Sequence, residues 1–164
     1  MFVNSILLSL FNVICWKRYF IMKNKSNEVV IVAAARTPIG IYKGSLKNIK
    51  ADQLGSIVIK EVLKKAKIKN EDIDEVILGQ VLTAGTGQNP ARQASINAGL
   101  PKTIPAHLVN QVCGSGLRSV ISGFQTIKLD EAKYIISGGQ ENMSIAPHAL
   151  PYRNDNKLLE DRLI

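Results

Sequence analysis

Cys113 is the residue of this chain best placed to do chemistry. It sits within Asn110-Gln111-Val112-Cys113-Gly114-Ser115-Gly116-Leu117-Arg118-Ser119. A short apolar run headed by Leu108 and closed by Val109 and Val112 precedes it. After it, Leu117, Val120, Ile121, Phe124 and Ile127 recur at helical spacing. The pattern predicts a strand that ends, and a helix that begins, at Cys113. A cysteine at such a junction faces unpaired backbone N–H groups and the positive end of the helix dipole, which favour thiolate over thiol and make the sulfur a nucleophile. Gly114, Ser115 and Gly116 leave little bulk around it, so a ligand can approach closely. The plainer alternative is a buried cysteine acting as a small hydrophobe. Composition alone would favour that reading, and the neighbourhood argues against it.

Other reactive residue types have weaker claims. Glu141 follows an apolar run and has the chemistry of a general base, but a carboxylate at a strand end is more often a structural hydrogen-bond acceptor. Arg36 reads as a solvated strand end. His107 and His148 stand apart with no metal-ligand spacing around either, and Cys15 and Cys113 form neither a disulfide framework nor a metal motif, so no metal is expected. Gly85-Thr86-Gly87-Gln88-Asn89-Pro90 has glycines at spacings that fit neither phosphate-binding fingerprint. It reads instead as helix punctuation, with Asn89 as cap, Pro90 in the first helical position, and Gly99 and Pro101 ending the turn after Ala98.

The elements that must position Cys113 follow from periodicity. Glu28 to Ala35 is a continuous apolar run, as in a strand buried on both faces, and is expected at the centre of the sheet. Leu54, Ile57, Val58 and Val62 form the apolar stripe of a helix from Ala51 to about Ala66. Asp74 to Leu82 gives a second strand, and strand, helix and strand in that order imply a parallel pair joined by a crossover. Ala91, Ala94, Ser95 and Ala98 give a small-faced helix, and Tyr134 to Gly139 a third buried strand parallel to the one before Cys113. The fold class is therefore α/β, a mostly parallel sheet with helices on both faces.

Composition bounds the rest. The chain has 164 residues, 46% hydrophobic and 21% charged, enough for one globular unit or part of a larger one. Its net charge of +8 is spread among acidic residues, and aromatics are only 5%, so no nucleic-acid surface is indicated. The few cysteines point to a reducing compartment, the cytoplasm, with the mitochondrion open for a eukaryotic chain. Residues 1–21 are apolar but interrupted by Asn4, Ser5, Ser9 and Asn12. They are short for a membrane span and lack the marks of a secretory signal. They are expected to be a non-structural extension, with a membrane anchor as the sharper alternative and no firm membrane association.

Several segments together resemble one family. Ala33-Ala34-Ala35-Arg36-Thr37-Pro38-Ile39-Gly40, Gln80 to Gly85, Gly87 to Ala94, Val109 to Leu117 and Gly138-Gly139-Gln140-Glu141-Asn142-Met143-Ser144 resemble, in order, motifs of the thiolases, and among them the biosynthetic acetyl-CoA acetyltransferases. The resemblance implies that residues 22–151 are the amino-terminal half of a thiolase-like fold and residues 152–164 the truncated start of a loop region. It implies an acyltransferase that condenses two acetyl-CoA to acetoacetyl-CoA, or runs the reverse thiolysis, through a thioester on Cys113, whose backbone N–H helps hold a thioester oxygen. Coenzyme A thioesters are then substrates, no further cofactor is needed, and the full-length family forms homo-oligomers. Arg92 lies where the family builds its dimer contact and is expected to be an interface or structural residue, and Glu141 a structural support. The family's activating histidine, second catalytic cysteine and most coenzyme A contacts lie in later segments. Two rival readings follow, a catalytically incomplete fragment that keeps the fold, and a module that dimerises through the segment around Asn89 to Gln93.

Overall fold

The computed structural model describes the backbone of residues 12–19, and residues 28–148 with their side chains. The expected loop region at 152–164 lies outside the described residues. In chain order the elements are β1 (Asn12–Tyr19), β2 (Glu28–Arg36), α1 (Ala51–Ala66), β3 (Glu75–Gly79), α2 (Pro90–Asn97), β4 (Ala106–Val109), α3 (Ser115–Lys128) and β5 (Tyr134–Gly139).

The strands form one five-stranded sheet in the order β2-β1-β5-β3-β4. β3 pairs in parallel with both β4 and β5, while β1 is antiparallel to both of its neighbours. β2 therefore runs in the same direction as β3, β4 and β5, and β1 alone opposes them. The alternation of side chains along each strand splits the core. Val76, Leu78 and Ile136 pack with Val58, Ile59 and Val62 of α1 and with Ala91 and Ala94 of α2. Ile77 and Ile135 face the other way and pack with Ile127 and Ala132, with Val120 against them. Helices thus cover both faces. Burying a side chain such as Ile59, Ile77 or Leu78 completely contributes about 1.5–3 kcal/mol.

Two expectations about the sheet need correction. The apolar stretch expected to be non-structural carries a strand over Asn12–Tyr19, inserted between β2 and β5 with pairs to both, such as Ile14 with Ala34 and Ile14 with Ser137. As a result β2, expected at the centre, lies at the edge, and of its nine residues only Ala35 is buried. An apolar run reports burial potential; strand order is fixed by pairing partners far away in the chain.

The helices also turn differently from their simple apolar stripes. In α1, Leu54, Val58 and Val62 are buried with Ile59 and Leu63, while Ile57 is 53% exposed. In α3 the buried face is Ser115, Ser119, Gly123 and Ile127, and Leu117, Ile121 and Phe124 face outward. Small residues win that face because α3 lies very close to the sheet. Ser119 Oγ donates to Gly138 O at 2.6 Å, and a Cβ on Gly123 would land on Ser137 Oγ. Around α2 the predicted punctuation is present. Asn89 caps the helix by accepting from Arg92 N at 3.1 Å, Pro90 follows it, and Gly99 takes a positive φ of 90°.

Candidate active site around Cys113

β4 ends at Val109 and α3 begins at Ser115, so Cys113 lies neither on the strand nor on the helix but in the tight turn between them. The helix starts two residues later than its periodicity suggests, and Gly114 is its N-cap. Cys113 is a free thiol and exposed.

The turn is held by a closed set of hydrogen bonds. Gly114 N donates to Gln111 O at 3.0 Å, and Ser115 N donates to Val112 O at 3.1 Å. The buried Ser115 hydroxyl donates to the same Val112 carbonyl at 2.6 Å and accepts from Gln111 N at 2.9 Å. Asn110 Oδ1 accepts from Val112 N at 3.0 Å, and Asn110 Nδ2 donates to Val81 O at 3.2 Å, which ties the turn to the segment leaving β3. Val112 has a φ of 50°, in the left-handed region, and its side chain is 64% exposed. A β-branched residue in that region is strained by about 1–3 kcal/mol and persists only where its surroundings enforce it. The residue immediately before the candidate nucleophile is therefore held against its own preference.

The sheet allows the approach that this turn needs. A Cβ on Gly79, the last residue of β3, would land on the backbone of Ser115 and Gly116. Beyond the strands, the ladder continues through Gln80 N to Val109 O at 3.2 Å and Gln140 N to Gly79 O at 2.9 Å. The side chains of Gln80 and Gln140 are buried there and joined, Gln140 Nε2 donating to Gln80 Oε1 at 2.8 Å. This polar pair and the Ser115 clamp were not visible in the pattern of residue types. Gly79 was visible only as a glycine inside a strand.

The other candidates have structural roles. Glu141 Oε2 accepts from Val81 N at 2.7 Å and Leu82 N at 3.3 Å, while Oε1 is buried without a hydrogen-bond partner. Burial pushes its carboxyl above the usual value, and the N–H groups of Val81, Leu82 and Asn142 offset part of that rise. It acts as an acceptor that fixes the chain after β3. Arg92 donates to Ile104 O at 2.5 Å and Lys102 O at 2.6 Å, so it braces the segment leading into β4. His107 lies on β4 with Nδ1 at 3.0 Å from Glu75 Oε1. Arg36 is exposed and donates to Thr37 O. The structure brings none of these side chains into a hydrogen bond with Cys113 among the described residues. Among those residues there is also no group of three or more His, Cys, Asp or Glu able to hold a metal ion, and no helix long and apolar enough to cross a membrane.

The arrangement offers an accessible thiol at the entry to a helix, with no base hydrogen-bonded to it among the described residues. Comparison with known proteins gives it a context. A family model described as the thiolase N-terminal domain matches residues 29–162. An acetyl-CoA acetyltransferase of Cupriavidus necator is 54% identical over 134 residues, which are 82% of this chain and 34% of that protein. One from Chromobacterium violaceum is 55% identical over 142 residues, 84% of this chain and 36% of the other. The cytosolic acetyl-CoA acetyltransferase of Rattus norvegicus is 48% identical over 139 residues, 85% of this chain and 35% of the other. The chain thus spans about a third of the length of the curated relatives it matches.

Proposed function

The chain belongs to the thiolase family, and from that premise we propose that it carries the nucleophile of an acyl transfer between two acyl-CoA molecules, acetyl-CoA to acetoacetyl-CoA and the reverse. The observation that carries the proposal is the exposed thiol of Cys113 in the strained turn between β4 and α3. The Cys113 sulfur attacks the thioester carbonyl carbon, an S–C bond forms, and the bond from that carbon to the coenzyme A sulfur breaks. The proton of the cysteine thiol ends on the departing coenzyme A thiol, so the step balances without an oxidant or reductant. α3 begins two residues after Cys113, so the positive end of its dipole supports the oxygen on which charge develops.

Condensation needs one step more, removal of a proton from the carbon beside a second thioester, by a base within hydrogen-bond reach. No described side chain stands beside Cys113 in that role. The function proposed for this chain is acceptance of the acyl group, and turnover depends on groups of the kind that the longer relatives carry. The coenzyme A thioester is its substrate, it acts in the cytoplasm, and homo-oligomer formation is proposed for the full-length family rather than for this chain by itself.

A second reading is favoured by a specific observation. Leu117, Ile121 and Phe124 form an outward apolar face on α3, 57%, 40% and 39% exposed. A fragment that keeps the fold and associates through this face, without turnover, would present that surface too. One experiment separates the two. Incubation with acetyl-CoA, followed by mass spectrometry of the Cys113 peptide and of the small-molecule products, shows an acetylated cysteine and newly formed acetoacetyl-CoA for a working enzyme. Acetylation with release of coenzyme A but no acetoacetyl-CoA marks the acceptor half alone, and an unmodified Cys113 defeats the nucleophile assignment.

A further inference from the structure

We propose that Ser115 is a positioning residue for Cys113, its hydroxyl locking the turn that presents the thiol. The inference rests on the reading of Cys113 as the acyl acceptor. Both hydrogen bonds of the hydroxyl stay inside the turn. It donates to Val112 O at 2.6 Å and accepts from Gln111 N at 2.9 Å, so it joins the two residues that precede Cys113 from the residue two places after it. Neither bond serves the helix that Ser115 begins.

Three observations make this clamp more than an ordinary helix start. Val112 is held at a φ of 50°, which a β-branched side chain does not adopt unaided. Ser115 is only 4% exposed and lies against Gly79, so water has little access to replace its hydroxyl. The N-cap at Gly114 provides no side-chain cap, so beside Asn110 and the backbone bonds of the turn the Ser115 hydroxyl is the side-chain group that closes it. Cys113 lies between the bonded residues with its own side chain outside the network. Removing the hydroxyl frees Val112 to relax toward negative φ, and the thiol then loses the fixed direction that attack on a carbonyl requires, while remaining accessible.

The test uses the whole chain and two variants, Ser115→Ala and Ser115→Thr, the second keeping the hydroxyl. Backbone chemical shifts and couplings report the conformation of Val112. The rate at which acetyl-CoA acylates Cys113, divided by the rate at which iodoacetamide alkylates it, reports direction separately from access. In Ser115→Ala, Val112 leaves the left-handed region and the ratio falls about tenfold, while Ser115→Thr restores both. A role in stability alone would lower the melting temperature and leave the ratio of the folded protein unchanged, which overturns the proposal. Retention of the left-handed Val112 in Ser115→Ala overturns it whether or not the wild-type chain is acylated. If the wild-type chain takes no acyl group while Val112 still depends on Ser115, the nucleophile reading fails and the clamp stands.

Discussion

The Cα of Gly79 and the backbone of Ser115 lie so close that a single methyl group on Gly79 would overlap the Ser115 carbonyl carbon. The end of β3 and the first residue of α3, 36 positions apart in sequence, touch without any side chain between them. The candidate nucleophile is two residues from that contact.

Gly79→Ala is therefore expected to push α3 off the sheet. Overpacking of this kind costs about 1–3 kcal/mol, which urea unfolding would detect. Because the displaced atoms are backbone, the alkylation rate of Cys113 should change as well. Unchanged stability would show that the helix N-terminus yields without cost.

Cys113→Ser should abolish acyl uptake from acetyl-CoA and leave stability within about 0.5 kcal/mol of the parent, since an exposed side chain outside the hydrogen-bond network contributes little to the fold. Acyl uptake measured by mass spectrometry and melting temperature measured in parallel check both halves. A large loss of stability would make Cys113 structural.

Arg92→Ala removes the donors to Ile104 O and Lys102 O. Hydrogen bonds from a charged group predict a loss of about 1.5–3 kcal/mol for the pair once exposure is discounted. An interface role alone would instead leave monomer stability unchanged and weaken association, which sedimentation at several concentrations would reveal.

Glu141 gives a pH dependence with a definite sign. Burial raises its folded value above 4.5, so the folded state holds the proton more tightly than the unfolded chain does. The stability linked to that proton is fully present below 4.5 and is lost as pH rises through the raised value. Relative to the parent, Glu141→Gln should flatten the stability profile between 4.5 and the raised value, as read by urea midpoints at successive pH values. Parallel profiles for the two proteins would contradict the burial of this carboxyl.

Deletion of residues 1–21 takes β1 out from between β2 and β5. The edge of β5 and one edge of β2 then lose their partners, and the loss is expected to reach about 3 kcal/mol or more, a large part of a small domain's total. Circular dichroism during urea unfolding measures it. An unshifted midpoint would mean that β2 reaches β5 directly once the segment is gone.

Much of this protein is written locally in its residues. The extent of α1 from Ala51 to Ala66, the Asn89 and Pro90 start of α2, a strand within 74–82 (it ends at Gly79), the strand at 134–139, and the placing of Cys113 between a strand and a helix all follow from spacing and from cap and turn residues, because those preferences act within a few positions. What tertiary structure decided depends on contacts between distant segments. Insertion of β1 moved β2 to the edge, since an apolar run names no partner. The close approach of Gly79 and Ser137 turned the small face of α3 inward and left Leu117, Ile121 and Phe124 outside, against the simple rule that the apolar stripe is buried. The direction of the thiol was likewise beyond reach of spacing. It comes from a left-handed Val112 held in a closed set of hydrogen bonds to Asn110 and to Ser115, a residue two places past the cysteine that lies against a glycine from another strand.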